Sequence, residues 1–443
     1  MNRKLLVLLF FGVLMGALDI AILGPALPAI KSSFTATARQ LTWIVNIYIL
    51  ANLLGTPLLS KLSDIFGRRW IYIIAVAFFG VGSLIIVLSN NFNLLVLGRG
   101  IQGFGSGGFF PVASAVIGDT FPKEKQGSAL GLIGAVFGLA FLVGPIIGGL
   151  LLMIGWHWIF ILNIPFSIAL IIGALELVPT KKMKGRIRLD WMGMTLLLAC
   201  LALFTFSINE IDTQNFWDSV STSQVFPYLV ATFVFLPVFI YSQKKSPTPI
   251  LAPRLFRSKQ LLIAYIIALG SGLGEVGVIF IPGFAKSSFN LSDYWASFYL
   301  MPLIFALFIG SPVAGRMLDI LGSRFVLLLG TLLLAAGLLG LSWFPAMRLP
   351  FFTAEVVMGL GLAAVLGAPL RYIINHETTE HDRALGQGVV SVFMSIGQLI
   401  SAALVGALVA SLGGGTLGFR RAFLALAIVS VLMIIASLGL KKK

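Results

Sequence analysis

Of 443 residues, 58% are apolar and 11% are charged, well below the roughly one quarter of charged residues in a soluble globular chain. The net charge of +15 raises nucleic acid as a partner, but the 31 Lys and Arg are sorted along the chain in the manner of membrane topology, which excludes that reading. Cys200 is the single cysteine, so no intramolecular disulfide and no cysteine-rich metal site can form. His157, His376 and His381 sit near the ends of apolar runs and suggest no metal centre.

A helix needs about 20 apolar residues to cross about 30 Å of hydrocarbon. Runs of that kind recur near 5–30, 41–60, 70–89, 94–117, 127–152, 157–177, 191–209, 223–241, 260–284, 295–316, 324–343, 351–374, 385–411 and 420–438. The first follows Arg3 and Lys4 like a signal peptide, yet it is long, contains Asp19 and leads into similar runs, so it reads as a retained helix. The runs lack period-two alternation and are about twice as long as a barrel strand, which favours helices.

With the amino terminus cytoplasmic, inner segments hold Lys61, Arg68, Arg69, Lys123, Lys125, the basic stretches 181–188 and 244–259, Arg316, Arg324, Arg371, Arg383 and the last three lysines. Outer segments hold only Lys31, Arg39, Lys286, Arg348, Arg420 and Arg421. An odd number of crossings would scramble this asymmetry, so the expectation is an all-α membrane protein with fourteen transmembrane helices and both termini cytoplasmic. Basic, proline-containing loops bracket two helices without embedded charges. The expected organisation is a six-helix bundle over 1–177, a two-helix insert with basic linkers over 178–259, and a second six-helix bundle over 260–443.

A short motif recurs in the two bundles. Ser60-Lys61-Leu62-Ser63-Asp64-Ile65-Phe66-Gly67-Arg68-Arg69 follows the second helix, and Gly315-Arg316-Met317-Leu318-Asp319-Ile320-Leu321-Gly322-Ser323-Arg324 stands at the matching place later. Parallel repeats of this sort build transporters whose site lies between the halves. A basic turn at a membrane surface is the plainer alternative.

Further motifs carry a family resemblance. The fourth run reads Gly98-Arg99-Gly100-Ile101-Gln102-Gly103-Phe104-Gly105-Ser106-Gly107; the fifth has Gly131, then Ala140 to Gly149 with Gly144, Pro145, Gly148 and Gly149; the first has Asp19 followed by Ala26-Leu27-Pro28. Together with the inner-loop motif they resemble the major facilitator superfamily, and the two-helix insert resembles its fourteen-helix drug:proton antiporter branch. The resemblance implies the major facilitator fold, transport by a single chain, no bound cofactor, and a proton gradient as energy source. Ser60, Ala140, Ala21 and Gly24 depart from the family pattern; all are small, but the first helix loses polar side chains.

Charges within hydrocarbon cost about 3 kcal/mol on insertion scales. Asp19, Arg99, Glu275 and Glu355 are the four such residues, and each calls for a reason. At about 1.5 Å per residue, Asp19 and Glu275 lie about 21 Å from the inner ends of their helices, and the other two lie about 6 to 8 Å below the outer ends. The expectation is one layer in which Asp19 and Glu275, on the first helices of the two bundles, face a shared cavity. Desolvation favours the neutral acid and an arriving cation favours the carboxylate, so such a group can exchange a proton for a cationic substrate. Asp19 is the first candidate for that exchange and Glu275 the second. The family resemblance makes Arg99 a fixed countercharge that holds a water or a backbone group of the first helix. The alternatives are a structural pair of Asp19 with Arg99, an outer polar contact for Glu275, and a snorkelling interfacial acid for Glu355.

In the inner-loop motif, Asp64 is expected to pair with Arg68 or Arg69, or to meet a helix amino end, and so to lock the inner side. Family resemblance makes Asp64, Gly67, Arg68, Arg69, Asp319, Gly322 and Arg324 conformational residues. Glycines 131, 144, 148 and 149 with Pro145 give the fifth helix close-packing faces and an expected kink. Trp43, Asn46, Tyr48, Asn52, Gln102 and Ser106 are candidates for lining a substrate cavity.

No Gly-x-x-x-x-Gly-Lys-Ser/Thr phosphate loop is present, so the expected energy source is a gradient; a proton crossing 100 mV releases about 2.3 kcal/mol. The leading expectation is a proton-coupled antiporter of a prokaryotic plasma membrane that exports hydrophobic, cationic or otherwise amphipathic compounds. A translocator of lipids or endogenous amphiphiles on the same fold is the second, and a non-transporting membrane sensor or scaffold the third. None of these is an enzyme.

Overall fold

The computed structural model describes residues 3–178, 180, 190–251, 253–344, 347–378 and 383–441. Within its helices the side chains of Asp64, 123–128, 130, 131, 134, 135, 137, 138, 141, 142, 375 and 383–385 lie outside the description, as does His381. Every described element is helical, the form in which an apolar segment satisfies its own backbone donors and acceptors without water.

Contacts divide the chain into two compact units, Met1–Ala36 with Trp43–Leu189, and Thr37–Thr42 with Asp190–Lys443. The first holds α1 (Arg3–Phe34), most of α2 (Ala38–Phe66), α3 (Arg68–Val87), α4 (Phe92–Ser106), α5 (Phe109–Thr120), α6 (Lys123–Leu152), α7 (His157–Ile161) and α8 (Asn163–Leu177). In the second lie α9 (Trp191–Glu210), α10 (Phe216–Val220), α11 (Phe226–Lys245), a 3-10 turn at Pro253–Phe256, α12 (Lys259–Ile279), α13 (Ile281–Phe289), α14 (Asp293–Phe298), α15 (Met301–Trp343), α16 (Arg348–Val365), α17 (Ala368–Glu377), α18 (Arg383–Ser411) and α19 (Thr416–Leu438).

All fourteen predicted runs overlie helix, although the boundaries differ. Among the described residues, 11 helical stretches are long and apolar enough to cross a membrane. One of them, Asp293–Trp343, contains 51 residues, about 75 Å of helix at 1.5 Å per residue and more than twice a hydrocarbon layer, so it accommodates two predicted runs. The fourth run breaks at Gly107 and Gly108 into α4 and α5, and its later counterpart breaks at Leu366 and Gly367 into α16 and α17.

Two glycines explain how the long stretches turn back. Gly67 (φ 94°, ψ 147°) separates α2 from α3, and Gly322 (φ 80°, ψ 167°) interrupts α15. The packing shows the reversal directly. A Cβ on Gly55 would strike Phe104 while one on Gly105 would strike Ala75, so residues on either side of Gly67 reach neighbouring positions of α4. Likewise Gly310 and Gly330, on either side of Gly322, abut Ala363 and Ala364 of α16. Both repeat motifs are therefore helical hairpins whose turn hangs on one glycine in a region L side chains rarely adopt.

In the second unit the insert helices α9 and α11 pack on each other, and α9 also packs on α18. Asp190 caps α9 by accepting from Gly193 N at 2.9 Å and accepts a second bond from Gln243 Nε2 at 2.7 Å, which ties the cap to the end of α11. At the far end of α9, Asn209 accepts from Thr42 Oγ1 at 2.6 Å, and Arg39 pairs with Glu210 at 3.5 Å. The other face of α11 presents Phe233, Val234 and Ile240 outward, as suits a surface covered by acyl chains.

Replacing Gly67 or Gly322 by Ala forces a methyl into the left-handed region and is expected to cost about 1–3 kcal/mol each. Thermal unfolding of the purified protein in detergent measures this; unchanged melting in both variants would contradict the hairpin geometry.

Candidate functional site

The charged residues of the first unit converge in its interior. Asn91 caps α4 by accepting from Leu94 N at 2.9 Å, which fixes the helix start and hence the direction of Arg99 two turns on. The α4 backbone then comes close to its neighbours, because Gly82 of α3 abuts the backbone of Gly98 and Gln102, and Gly103 abuts that of Tyr48 on α2. Such close approach needs small residues, and it brings three helices to within reach of one guanidinium.

Arg99 is 1% exposed and Asp19 3% exposed. Arg99 Nη1 donates to Asp19 Oδ2 at 2.5 Å and to Gln102 Oε1 at 2.6 Å, and Nε donates to the Ile44 carbonyl at 3.3 Å. Asp19 Oδ1 accepts from Gln102 Nε2 at 2.8 Å and from Asn163 Nδ2 at 3.1 Å. Gln102 Nε2 also donates to Ser83 Oγ at 2.9 Å. The guanidinium carbon lies 4.2 Å from the centre of the Tyr48 ring, a cation–π contact. Each charge is thus met by an opposite charge and by oriented dipoles, which is what burial of an ion pair demands.

Arg99, expected to hold a water or a backbone group of the first helix, has the Asp19 and Gln102 side chains and the α2 backbone as its described partners, which is the pairing given as the alternative. Asp19, expected to face a cavity, is enclosed within its own bundle and engaged by three side chains. Asn163 and Ser83 complete the network and escaped notice in the sequence. The signal for both was an isolated polar residue inside an apolar run, the same signal that marked Asp19.

The substrate candidates divide into two groups. Tyr48 Oη donates to Ser106 Oγ at 2.7 Å, Asn52 Nδ2 donates to the same hydroxyl at 3.3 Å, and Gln102 is committed to the ion pair. Trp43 and Asn52 are half-buried. Asn46 is fully buried, and among the described residues neither its amide nitrogen nor its oxygen has a partner.

The arginines of the inner-loop motif reach beyond their own turn. Arg68 Nε donates to Asp119 Oδ2 at 3.0 Å and Nη1 to Ser63 Oγ at 2.7 Å, so α3 is fastened to the end of α5 and to α2. Arg69 Nε donates to the Val178 carbonyl at 2.6 Å, at the carboxyl end of α8 where a cation is favoured. The Asp64 side chain lies outside the described residues; Asp119 is the acid that the sequence reading overlooked. Asp319 and Arg324 flank the reversal at Gly322, Asp319 exposed and Arg324 half-buried. In the antiporter motif, Gly144 abuts Ala21, and Gly148 abuts Ile22 and Pro25, so the small face of α6 carries α1. Ala21, where the family pattern has a larger polar residue, is what makes room. Pro145 and Gly149 are buried in α6, and Gly131 belongs to the same helix, outside the described side chains.

In the second unit Glu275 is half-buried and accepts from Gln398 Nε2 at 2.9 Å, a partner on α18 that the sequence did not flag. Glu355 is fully buried in α16, which corrects the snorkelling alternative. Among the described residues no group of three His, Cys, Asp or Glu is placed to hold a metal.

Apolar helical bundles with an enclosed ion pair on crossing helices define a polytopic membrane protein of the transporter class. The model of the Major Facilitator Superfamily matches residues 9–310 and again 264–443, and the chain belongs to that superfamily. It is therefore a membrane transporter and not an enzyme. It is 32% identical over 411 residues, 91% of its own length and 79% of the relative's, to the uncharacterized MFS-type transporter YfiU of Bacillus subtilis (strain 168). The multidrug transporter protein MdtP of the same organism is 26% identical over 94% of this chain and 77% of that protein. The tetracenomycin C resistance and export protein of Streptomyces glaucescens is 29% identical over 90% of this chain and 74% of its own. The crystal structure of the nucleoside transporter NupG shares the fold, with a TM-score of 0.71, 14% identity and coverage of 99% of this chain and 98% of that one.

Asp19→Asn strands a buried guanidinium and Arg99→Gln a buried carboxylate, so each is expected to destabilise by about 3–5 kcal/mol. The double variant should lose less than the two together, by about 0.5–3 kcal/mol, since neither charge is then left alone. Unfolding of the four proteins in detergent gives the cycle; strict additivity would mean that the pair is not coupled.

Proposed function

We propose that the chain is a proton-coupled antiporter that exports hydrophobic, cationic or amphipathic compounds across a bacterial plasma membrane, exposing its site to the two sides in turn. In this reading it crosses the bilayer fourteen times with both ends in the cytoplasm, as two six-helix bundles and a two-helix insert, and works as a single chain. The observation that carries the proposal is the placement of three acids, Asp19, Glu275 and Glu355, in membrane-crossing helices, buried or half-buried, with Arg99 paired to only one of them. Intramembrane acids cost free energy that a purely structural role does not return, whereas a proton carrier requires them. Relatives named a multidrug transporter protein and a tetracenomycin C resistance and export protein support the substrate class.

The residues take roles by their surroundings. The Asp19 and Arg99 pair holds α1, α2 and α4 in one arrangement, and its opening would free a carboxylate for a proton or a cationic cargo. Arg68, Arg69 and Gly67 set the inner end of the same bundle, and the motif assigns Asp64 to the same role, while Asp319, Gly322 and Arg324 do so in the repeat. Gly144, Gly148 and Gly149 with Pro145 give α6 the smooth face along which α1 can slide, and the motif adds Gly131 to this role. Asn46, whose buried amide lacks a protein partner, is the best placed substrate-binding group of α2, since an unpaired amide gains most from a ligand or water. Trp43 and Asn52 are secondary candidates.

Everted vesicles that contain the protein, acidified inside, should lose part of their pH gradient when ethidium is added outside, and should concentrate ethidium in return. Asn46→Leu is expected to weaken ethidium binding by about 1–3 kcal/mol with little change in folding. Vesicles that hold their gradient against ethidium and similar cations, yet scramble a fluorescent lipid, would assign the chain to lipid translocation instead.

A further inference from the structure

The two units are repeats whose registers can be matched residue by residue. In the first, Gly82 abuts Gln102, Gly103 abuts Tyr48, and Gly105 abuts Ala75 and Phe79. In the second, Gly337 abuts Met358, Gly359 abuts Leu303, and Gly361 abuts Gly330 and Leu334. These contacts align α4 with α16 without a gap: Gly98 with Ala354, Gln102 with Met358, Gly103 with Gly359 and Gly105 with Gly361. Arg99 then falls on Glu355.

The matched positions carry opposite charges and opposite fates. Around Arg99 the chain supplies Asp19, Gln102 and Asn163. Around Glu355 it supplies nothing of the kind, because Met358 replaces Gln102 and, among the described residues, neither carboxyl oxygen has a hydrogen-bond partner. Glu355 is 0% exposed. The charged and titratable groups on the elements packed around α16 are otherwise placed. On α12 they are Lys259, Tyr265 and Glu275, the last bonded to Gln398. On α15 they are Arg316, Asp319 and Arg324, all toward the reversal at Gly322. On α17 they are Arg371, Tyr372, His376 and Glu377, with Glu377 paired to Lys441. Lys286 of α13 pairs with Asp293 of α14, the Tyr299 ring meets Phe352 at a tilt, Arg420 of α19 donates to the Ser342 carbonyl, and Arg421 follows it; Arg348 opens α16 itself, two turns away.

A carboxylate so enclosed would be an isolated charge in a medium that cannot solvate it, and the neutral acid is by far the cheaper form. A neutral acid that makes no bond contributes nothing to folding that a Leu or Gln would not. What it retains is a proton. We propose that Glu355 is the acid at which the second unit carries the coupling proton, loaded in the conformation described here and unloaded in one that admits water. The inference rests on the proton-coupled reading and narrows it: in the conformation described here Asp19 is committed to Arg99, and the unpaired acid of the second unit is the one that holds the proton.

Infrared difference spectra of the purified protein in detergent, and ethidium-driven proton flux in proteoliposomes, test this on wild type, Glu355→Gln, Glu355→Asp and Glu275→Gln. A protonated-carboxyl band at neutral pH that is deuterium-sensitive, absent from Glu355→Gln and kept in Glu275→Gln is the expected result. With it, Glu355→Gln should still bind ethidium but lose proton flux, and Glu355→Asp should restore part of the flux. A wild-type spectrum without that band, or a Glu355→Gln protein with the wild-type band or wild-type proton flux, overturns the assignment. Wild-type vesicles that exchange no protons for ethidium would count against the antiport reading, and the infrared band would then decide the state of Glu355 by itself.

Discussion

The arrangement of the first unit depends on keeping a full positive charge out of water. A guanidinium inside a bundle of membrane helices is tolerable only where an anion and several dipoles meet it, and here Asp19, the Gln102 amide and the Ile44 carbonyl do so from α1, α4 and α2. The close-packing glycines follow from that requirement. Bonds of 2.5–3.3 Å to one side chain demand that helix axes approach closely, and a side chain at Gly82 or Gly103 would push them apart. Polar chemistry and small-residue packing are therefore one constraint seen from two sides.

The second unit uses the same scaffold for a different end. Its glycines meet its helices at corresponding places, its reversal turns on Gly322 as the other turns on Gly67, and its fourth helix breaks where α4 gives way to α5. Its interior, however, is filled by Phe284, Phe351, Phe419 and Phe423, whose ring centres lie 5.2 to 5.7 Å from Phe284. An aromatic core offers no hydrogen bonds to a carboxyl. Divergence between the repeats has thus concentrated the ion pair in one and left an unaccompanied acid in the other.

Much of this was legible in the sequence, because a membrane imposes a blunt rule. Runs of about 20 apolar residues mark helices whatever their neighbours, and charges within them stand out. That made the all-helical bundle, the repeat of Asp64 to Arg69 in Asp319 to Arg324, and the four embedded charges readable. Partners were not readable, since they depend on which face of a helix turns inward. Arg68 donates to Asp119, on a helix two elements further along the chain, a contact no local spacing announces. For Arg99 the sequence leaves open a water, a backbone group of the first helix or the side chain of Asp19, and only the fold selects the last. Helix breaks at Gly107 and Gly367 were hidden too, because hydropathy does not register a change of direction within an apolar run.

The reversals at Gly67 and Gly322 have a mechanical corollary. Each joins two long helices through a single residue, leaving no slack in the connection. A displacement at the start of α3 is delivered at once to the end of α2, and the same holds for the two arms of α15, so each hairpin behaves as a bent lever pivoting on its glycine. Arg68, next to that pivot, bears on α5 through Asp119, and a small rotation there is magnified at the far end of the arm.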